Sequence, residues 1–477
     1  MKKLMENFMN WQAAASILCG CLSTPVAAQH ETHRLGAAQL LEIVKAHHPV
    51  AKQASLKIEM AEAGLLSAKG SFDPGLRTGT SKKTVDDNRY YEYFNTELTL
   101  PTWIGADFRV GVESVNGTRP DPTRTTGKSN YLGVTVPLAK GLLTDKRRAV
   151  LQTARITRQA SAVEKQKILN QLFGDAIKSY WYWAEKFAQY KLLDDLVQVN
   201  KARLRLTLQA FQLGDRAAVD TIEALAQLQT FQVTREKAWL EFQNAGLELS
   251  EYLWSEGDLP VAIPEGIVPD DQEITRRKED QMLPSLDSLL TIAVENHPEA
   301  ILLDYKIDVL EIDKRLKFQD LLPQANLDYN VLGKNYNLLK TTDPVLFANN
   351  HRYGLSFVMP LRFSQARGEY KKARIAITEA QLDRNIKRMA IGNKIKASYN
   401  EITALVKQIR LQETAYNSLQ ILQRAEEQRF AMGESSLFLI NTRENKTLES
   451  VQKLIELKIK YQLAITSLRQ SAGLLQD

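Results

Sequence analysis

The sequence predicts an α+β membrane protein, internally duplicated, in which long α-helical hairpins are joined to β-strands that cross a membrane. Three observations carry this expectation. The same order of landmarks occurs twice. Each half holds a proline-free helical pattern of more than sixty residues. And beyond residue 30 there is no apolar run of eighteen residues, so any membrane crossing falls to alternating strands.

The chain opens with Lys2 and Lys3, an apolar stretch from Trp11 to Leu22 and the small residues of Thr24-Pro25-Val26-Ala27-Ala28. That order is the order of a secretory signal, 1–28, cleaved after Ala28. A buried N-terminal helix is the competing reading. Both cysteines, Cys19 and Cys21, fall in this segment, so cleavage after Ala28 leaves no thiol for a disulfide or a cysteine-ligated metal. The other reading of Leu18-Cys19-Gly20-Cys21 is a loose lipoprotein box with a lipid on Cys21.

The first repeat, 29–254, opens with Leu41-Glu42-Ile43-Val44-Lys45-Ala46-His47-His48-Pro49. The second, 285–477, opens with Leu289 to Val294 and then Glu295-Asn296-His297-Pro298. Each continues through a helix and a β-rich stretch to a Pro-Leu pair, Pro137-Leu138 or Pro360-Leu361. A long helix follows, interrupted at Phe211-Gln212-Leu213-Gly214 and at Phe430-Ala431-Met432-Gly433. A further helix closes each half, where Phe242 and Ala245 fall opposite Tyr461 and Ala464 at an offset of 219 residues. An order kept through so many landmarks indicates duplication. The linker, 255–284, carries Pro260, Pro264, Pro269 and Pro284 and reads as irregular.

The halves differ in one place. From Pro49 to Pro137 the first uses 88 residues, and from Pro298 to Pro360 the second uses 62. The surplus of 26 lies in the β-rich part, where it suits either an added hairpin or longer loops. There Phe94, Thr96, Leu98 and Leu100 alternate with Tyr93, Asn95, Glu97 and Thr99. Phe108, Val110 and Val112, then Leu132, Val134 and Val136, repeat the pattern, as do Leu327, Tyr329 and Val331 and finally Tyr353, Leu355, Phe357 and Met359. One apolar and one polar face suits a wall between lipid and a wet lumen, with Tyr90, Tyr91, Trp103, Phe347 and Phe363 as interfacial aromatics. Periodicity alone equally describes an amphipathic sheet on a soluble core. Four to six strands close no wide barrel, so strands in lipid require several copies sharing one, in a symmetric ring.

The helices, Thr144 to Gln212 and Arg367 to Ala431, are too long for a globular core to bury. Their apolar residues form narrow seams, Ile168, Leu172 and Ile177, then Leu192, Leu193, Leu196 and Val199. Gly214 and Gly433 permit a left-handed reversal, and Asp215 and Glu434 follow near the next helix start, where carboxylates suit the dipole.

Catalytic and metal-binding patterns are thin. His47-His48-Pro49 has no helical His-x-x-x-His spacing, and its counterpart His297-Pro298 reads as a helix break. Asp86-Asp87-Asn88 lacks calcium-loop spacing and reads as a polar turn. No phosphate-cradling loop or nucleophile elbow occurs, so no cofactor is expected. The net charge of +6 is diffuse, with no compact basic block for nucleic acid.

In its duplicated layout, its His-Pro starts, its Pro-Leu junctions and its Phe-Xaa-Xaa-Gly tips, the chain resembles the TolC-type outer-membrane efflux family. The resemblance implies a homotrimer with a shared twelve-stranded transmembrane β-barrel, two strands per half of each chain, continued by a trimeric α-barrel across the periplasm of a Gram-negative cell. It implies a passive channel, not an enzyme, that works with a periplasmic adaptor protein and an inner-membrane pump in efflux or type I secretion. It implies that Leu213, Gly214, Asp215, Met432, Gly433 and Glu434 form adaptor-docking tips. Family members narrow the entrance with carboxylates six residues past the first tip glycine and six and nine past the second. Asp220 matches the first, while Leu439 and Thr442 occupy the others, so that either the acidic constriction is weaker here or Glu444 contributes instead. A solvated helix-face carboxylate is the other reading of Asp220. A periplasmic coiled-coil scaffold without a pore is the alternative for the whole chain.

Overall fold

The computed structural model describes residues 33–121, 123–264, 266–270, 284–334 and 350–475. The expected signal segment with Cys19 and Cys21, Phe347 and much of the linker lie outside the described residues.

The chain begins with β1 (His33–Leu35), α1 (Ala37–His47) and α2 (Pro49–Lys69). Four strands follow, β2 (Gly75–Val85), β3 (Asn88–Pro101), β4 (Asp107–Asn116) and β5 (Gly127–Pro137). The first long hairpin is α3 (Lys146–Gln212) with α4 (Ala218–Ser250). After β6 (Ile267–Pro269) a similar succession returns as α5 (Leu286–Asn296), α6 (Pro298–Gln319), β7 (Gln324–Lys334), β8 (His351–Val358), α7 (Ser364–Ala431) and α8 (Leu437–Ser471).

The α1–α2 and α5–α6 breaks share one device. Pro49 and Pro298 stand at the first helical position, where their missing N–H costs nothing. The preceding histidine turns its ring onto the new helix. His48 Nδ1 accepts from Val50 N at 3.1 Å, and His297 Nδ1 accepts from Glu299 N at 3.2 Å. These side chains are helix caps, a role beyond a bare chain break. α3 starts on a more usual cap, Asp145, which accepts from Arg148 N at 2.8 Å.

Helices α3 and α7 have 67 and 68 residues. At 1.5 Å per residue each is about 100 Å long. Their return helices, α4 and α8, have 33 and 35 residues and cover only the half next to the hairpin turn. The other half packs against α2 and α6. The two arrangements meet in aromatic and aliphatic belts midway. Leu40 and Val44 of α1 pack there on Phe173, Ala176, Tyr180 and Trp183 of α3 and on Phe242 and Ala245 of α4. The second belt joins Leu289 and Ala293 of α5 to Ile395 and Ile402 of α7 and to Tyr461 and Ala464 of α8. The pairs matched at 219 residues, Phe242/Ala245 and Tyr461/Ala464, thus both lie in belts. One seam differs from expectation: Val199 is exposed, and Val197 takes its place beside Leu228 and Phe231.

The strands form one six-stranded sheet in the order β2-β3-β4-β5-β7-β8, every neighbour antiparallel. The first half therefore supplies four strands and the second two, where the family resemblance implied two from each. The surplus residues are an added hairpin; at 3.3 Å per residue they suffice for two strands of membrane-crossing length. Asp86 and Asp87 close β2 to β3, both with positive φ, as a two-residue turn of matching twist demands. The linker is not wholly irregular either, because Ile267–Pro269 pairs in parallel with His33–Leu35.

The sheet's apolar face runs in cross-strand rows. Leu76, Leu98, Val110, Leu132 and Val331 stand side by side on five successive strands. Leu100, Phe108, Val134, Tyr329 and Tyr353 form another row. None of the hydrophobic clusters of the helices reaches this face, and Leu76, Leu132, Tyr353, Leu355 and Phe357 are exposed. Among the described residues the sheet therefore covers no core of its own chain.

Candidate functional site

The two hairpin turns lie together, remote from the sheet. Gly214 (φ +79°) and Gly433 (φ +82°) hold the left-handed conformation that ends α3 and α7. Around each, the next residue's N–H reaches back five residues: Asp215 N donates to Ala210 O and Glu434 N to Arg429 O, both at 2.9 Å. Orphan carbonyls at the helix end are satisfied this way. Leu213 and Met432, one residue before each glycine, are 78% and 66% exposed. Val219, Ile222 and Phe438 add further uncovered apolar surface.

The tips are fastened to each other by Arg216. Its guanidinium lies 3.9 Å from the Phe430 ring centroid and donates to the Phe430 carbonyl at 2.8 Å. A basic group over an aromatic face and on a helix-end carbonyl gains twice, from the ring quadrupole and the helix dipole. Nothing in the Phe-Xaa-Xaa-Gly pattern pointed to Arg216.

Asp220 lies in the first turn of α4, half-buried, with its backbone N–H bonded to Ala217 O at 3.1 Å. Its place suits a carboxylate, since the turn presents unpaired N–H groups. Leu439 and Thr442 leave the corresponding stretch of α8 without an acid, and the Thr442 hydroxyl is spent on Phe438 O at 2.8 Å.

Glu444 does not substitute at the entrance. Its side chain is 1% exposed and takes two 2.9 Å bonds from Arg203 Nη1 and Nη2, with Asn200 Nδ2 at 3.2 Å. A carboxylate so enclosed is a clasp between α3 and α8. Asn441 Nδ2 to Glu223 Oε1, at 3.1 Å, ties α8 to α4 nearby.

The opposite end presents the polar face of the sheet. Arg109 pairs with Asp328 at 2.9 Å, and Ser129 donates to Glu113 at 3.1 Å. Tyr131 Oη donates to Glu97 at 2.7 Å across the intervening strand. Gly111 sits between them in register, and a Cβ there would lie 2.3 Å from the Tyr131 ring. The glycine is what lets the phenol cross. Among the described residues no cluster of three or more histidine, cysteine or acidic side chains is placed to hold a metal ion, and no helix is long and apolar enough to cross a membrane.

A sheet with one apolar and one charged face, continued by struts of about 100 Å, is an arrangement already seen in solved proteins. The CmeC outer membrane channel of Campylobacter jejuni superposes with a TM-score of 0.64 at 13% identity, over 92% of this chain and 85% of that one. The outer membrane protein VceC of Vibrio cholerae superposes with a TM-score of 0.65 at 14% identity, over 92% and 96%. The open state of the MtrE outer membrane channel of Neisseria gonorrhoeae gives 0.59 at 12% identity, over 92% and 90%.

The fold is that of the TolC-type outer-membrane channels.

No protein-family model and no curated protein sequence matches the chain. At 12–14% identity the shared feature is the backbone path of the channel fold, including its long hairpins.

Proposed function

We propose that this chain is the outer-membrane exit duct of a tripartite efflux or type I secretion assembly, a passive channel and not an enzyme. In this reading a signal at 1–28 directs export, and the repeats 29–254 and 285–477, duplicated in origin and joined by 255–284, build one subunit of a homotrimer. The strands of three subunits share a transmembrane β-barrel in the outer membrane, and their helices form an α-barrel through the periplasm of a Gram-negative cell. Leu213, Gly214, Asp215, Met432, Gly433 and Glu434 dock a periplasmic adaptor that also engages an inner-membrane pump. Asp220 narrows the entrance.

The observation that carries the reading is the uncovered apolar face of an open sheet, at the opposite end from two paired, exposed helix turns. An open sheet edge is not tolerated in hydrocarbon, so the strands require partner copies. Aliphatic rows of this kind are what lipid covers.

The test is electrical. Detergent-purified protein added to a planar lipid bilayer is expected to give discrete, long-lived conductance steps, and Asp220→Ala is expected to change their size or cation preference. Steps indifferent to Asp220→Ala would remove the constriction role and keep the channel. Folded protein that never inserts, and that leaves membranes in high salt, would replace the duct with a periplasmic scaffold.

A further inference from the structure

The added hairpin β2–β3 changes the size of any barrel these strands build. It belongs to the same wall as the other four strands on three counts. Its apolar row is continuous with theirs, Leu76 and Leu98 standing beside Val110, Leu132 and Val331. On the polar face Tyr131 of β5 reaches over Gly111 of β4 to Glu97 of β3, stitching the hairpin into the plane of the sheet. Its outer face ends in charge at Lys82 and Glu92, which face each other across β2 and β3 beside the turn. Lys128 of β5 stands in register with Ser114 of β4, itself in register with Phe94 of β3, so basic residues close the apolar rows on β2 and on β5 alike.

The outer strands of the sheet are therefore β2 and β8. β2 is exposed along all of its eleven residues, and β8 along all but His351. With each neighbour antiparallel, β2 and β8 point in opposite directions, as the outermost strands of an even-numbered sheet must. One copy cannot satisfy them, because six strands lie below the smallest barrels known in outer membranes. A second copy can, with β8 of one meeting β2 of the next.

We infer that three copies close an eighteen-stranded barrel through β2–β8 pairing, wider than the twelve-stranded wall that two strands per half would give. This rests on the proposed trimeric channel. With strands 4.7–4.9 Å apart and tilted by 35–45°, eighteen strands enclose a ring of about 17–20 Å radius and twelve a ring of about 11–13 Å. The helices supply an independent gauge. Next to the sheet each copy presents α2, α3, α6 and α7 in lateral contact, twelve helices in a trimer. At 8–10 Å between axes, twelve helices make a ring of about 15–19 Å. The eighteen-stranded ring meets the helical ring at matching width, so the membrane wall is no neck and passage is limited at the helix tips.

Engineered cysteines decide between the rings. Residues 76, 78 and 80 on β2 are paired in turn with 353, 355 and 357 on β8, for example Thr78→Cys with Leu355→Cys, in the full-length protein in detergent. A second set pairs β4 with β8, for example Val110→Cys with Leu355→Cys. Single substitutions serve as controls, and light scattering reports the oligomer. The eighteen-stranded wall gives disulfide-linked dimers and trimers from at least one β2–β8 pair and none from the β4–β8 set. Linkage through β4–β8 alone means the hairpin lies off the wall of a twelve-stranded barrel; it overturns this inference and leaves the channel standing. Trimers that link through neither set overturn the edge pairing. A monomeric mass with no linkage overturns the shared barrel, and the proposed function with it.

Discussion

Replacing Arg203 by alanine removes the partner of a carboxylate that has no route to water. Glu444 is 1% exposed and the Arg203 side chain 15%, and among the described residues the one other hydrogen-bond donor to Glu444 is Asn200 Nδ2 at 3.2 Å. Removing one member of a buried ion pair costs about 3–5 kcal/mol, because the other charge stays desolvated. Asn200 remains to share the charge, so the lower bound, about 3 kcal/mol, is the appropriate figure. The clasp lies nine residues above the end of α3, about 14 Å at 1.5 Å per residue. Parting of the tips would return Glu444 to water, and Arg203→Ala therefore favours the parted state by roughly a hundredfold at 1.4 kcal/mol per decade. Limited proteolysis measures that population directly where opening is fast relative to cleavage. Cutting within 205–217 by a protease that does not recognise arginine should accelerate about a hundredfold. Arg203→Met with Glu444→Met removes both charges, and its rate should return to within a few-fold of the parent. An acceleration below about threefold for Arg203→Ala, or a double substitution as fast as the single, would refute the clasp.

Gly214→Ala and Gly433→Ala meet no atom within 4 Å of the new Cβ, so their cost is purely conformational, about 1–2 kcal/mol at positive φ. Tip proteolysis should rise by roughly five- to thirtyfold for alanine and less for asparagine, which tolerates that conformation; equal rates for the two would refute it. Burial depresses both cap histidines below their ordinary value of 6.5, His48 against a raising effect from the Glu251 backbone, His297 against a raising effect from Glu299 and with further lowering from Lys387, Lys394 and Lys167. The unfolded chain then binds protons that the folded chain resists, so their contribution is complete above pH 6.5 and shrinks as pH falls toward the depressed values. Unfolding midpoints between pH 7.5 and 5.5 should fall, and the double change His48→Asn, His297→Asn, which keeps a neutral cap, should flatten the slope; an unchanged slope would refute it.

Much of this architecture was legible because it is written as period and spacing. The proline-free helical stretches of more than sixty residues, the Phe-Xaa-Xaa-Gly reversals and the alternating strands each follow from local rules that a linear reading can apply. What escaped depends on contacts between distant residues. Val197 rather than Val199 faces inward because Leu228 and Phe231 of α4 lie on that side. Glu444 follows a run of polar residues and looks solvated until Arg203, 241 positions earlier, is brought against it. Arg216 could not be distinguished from any surface arginine before Phe430 stood beneath it. The surplus 26 residues suited either a longer loop or a new hairpin, since Asp86-Asp87 signals a polar turn without saying what it turns between.

The belts halfway down the helices also set a dimension. From Trp183, in the belt, to Gln212, at the turn, α3 runs about 43 Å at 1.5 Å per residue, with α4 and α8 packed on it and α7 packed on α8, none with a loop to absorb slack. Removing seven residues from one helix alone would keep its apolar face but leave it about 10 Å out of step with the helices it packs on. Only a matched excision from all four would shorten the shaft, by about 10 Å for each heptad. The distance from belt to tip is thus a ruler whose graduations change only in concert, and the molecule's reach is harder to alter by single steps than any residue at its ends.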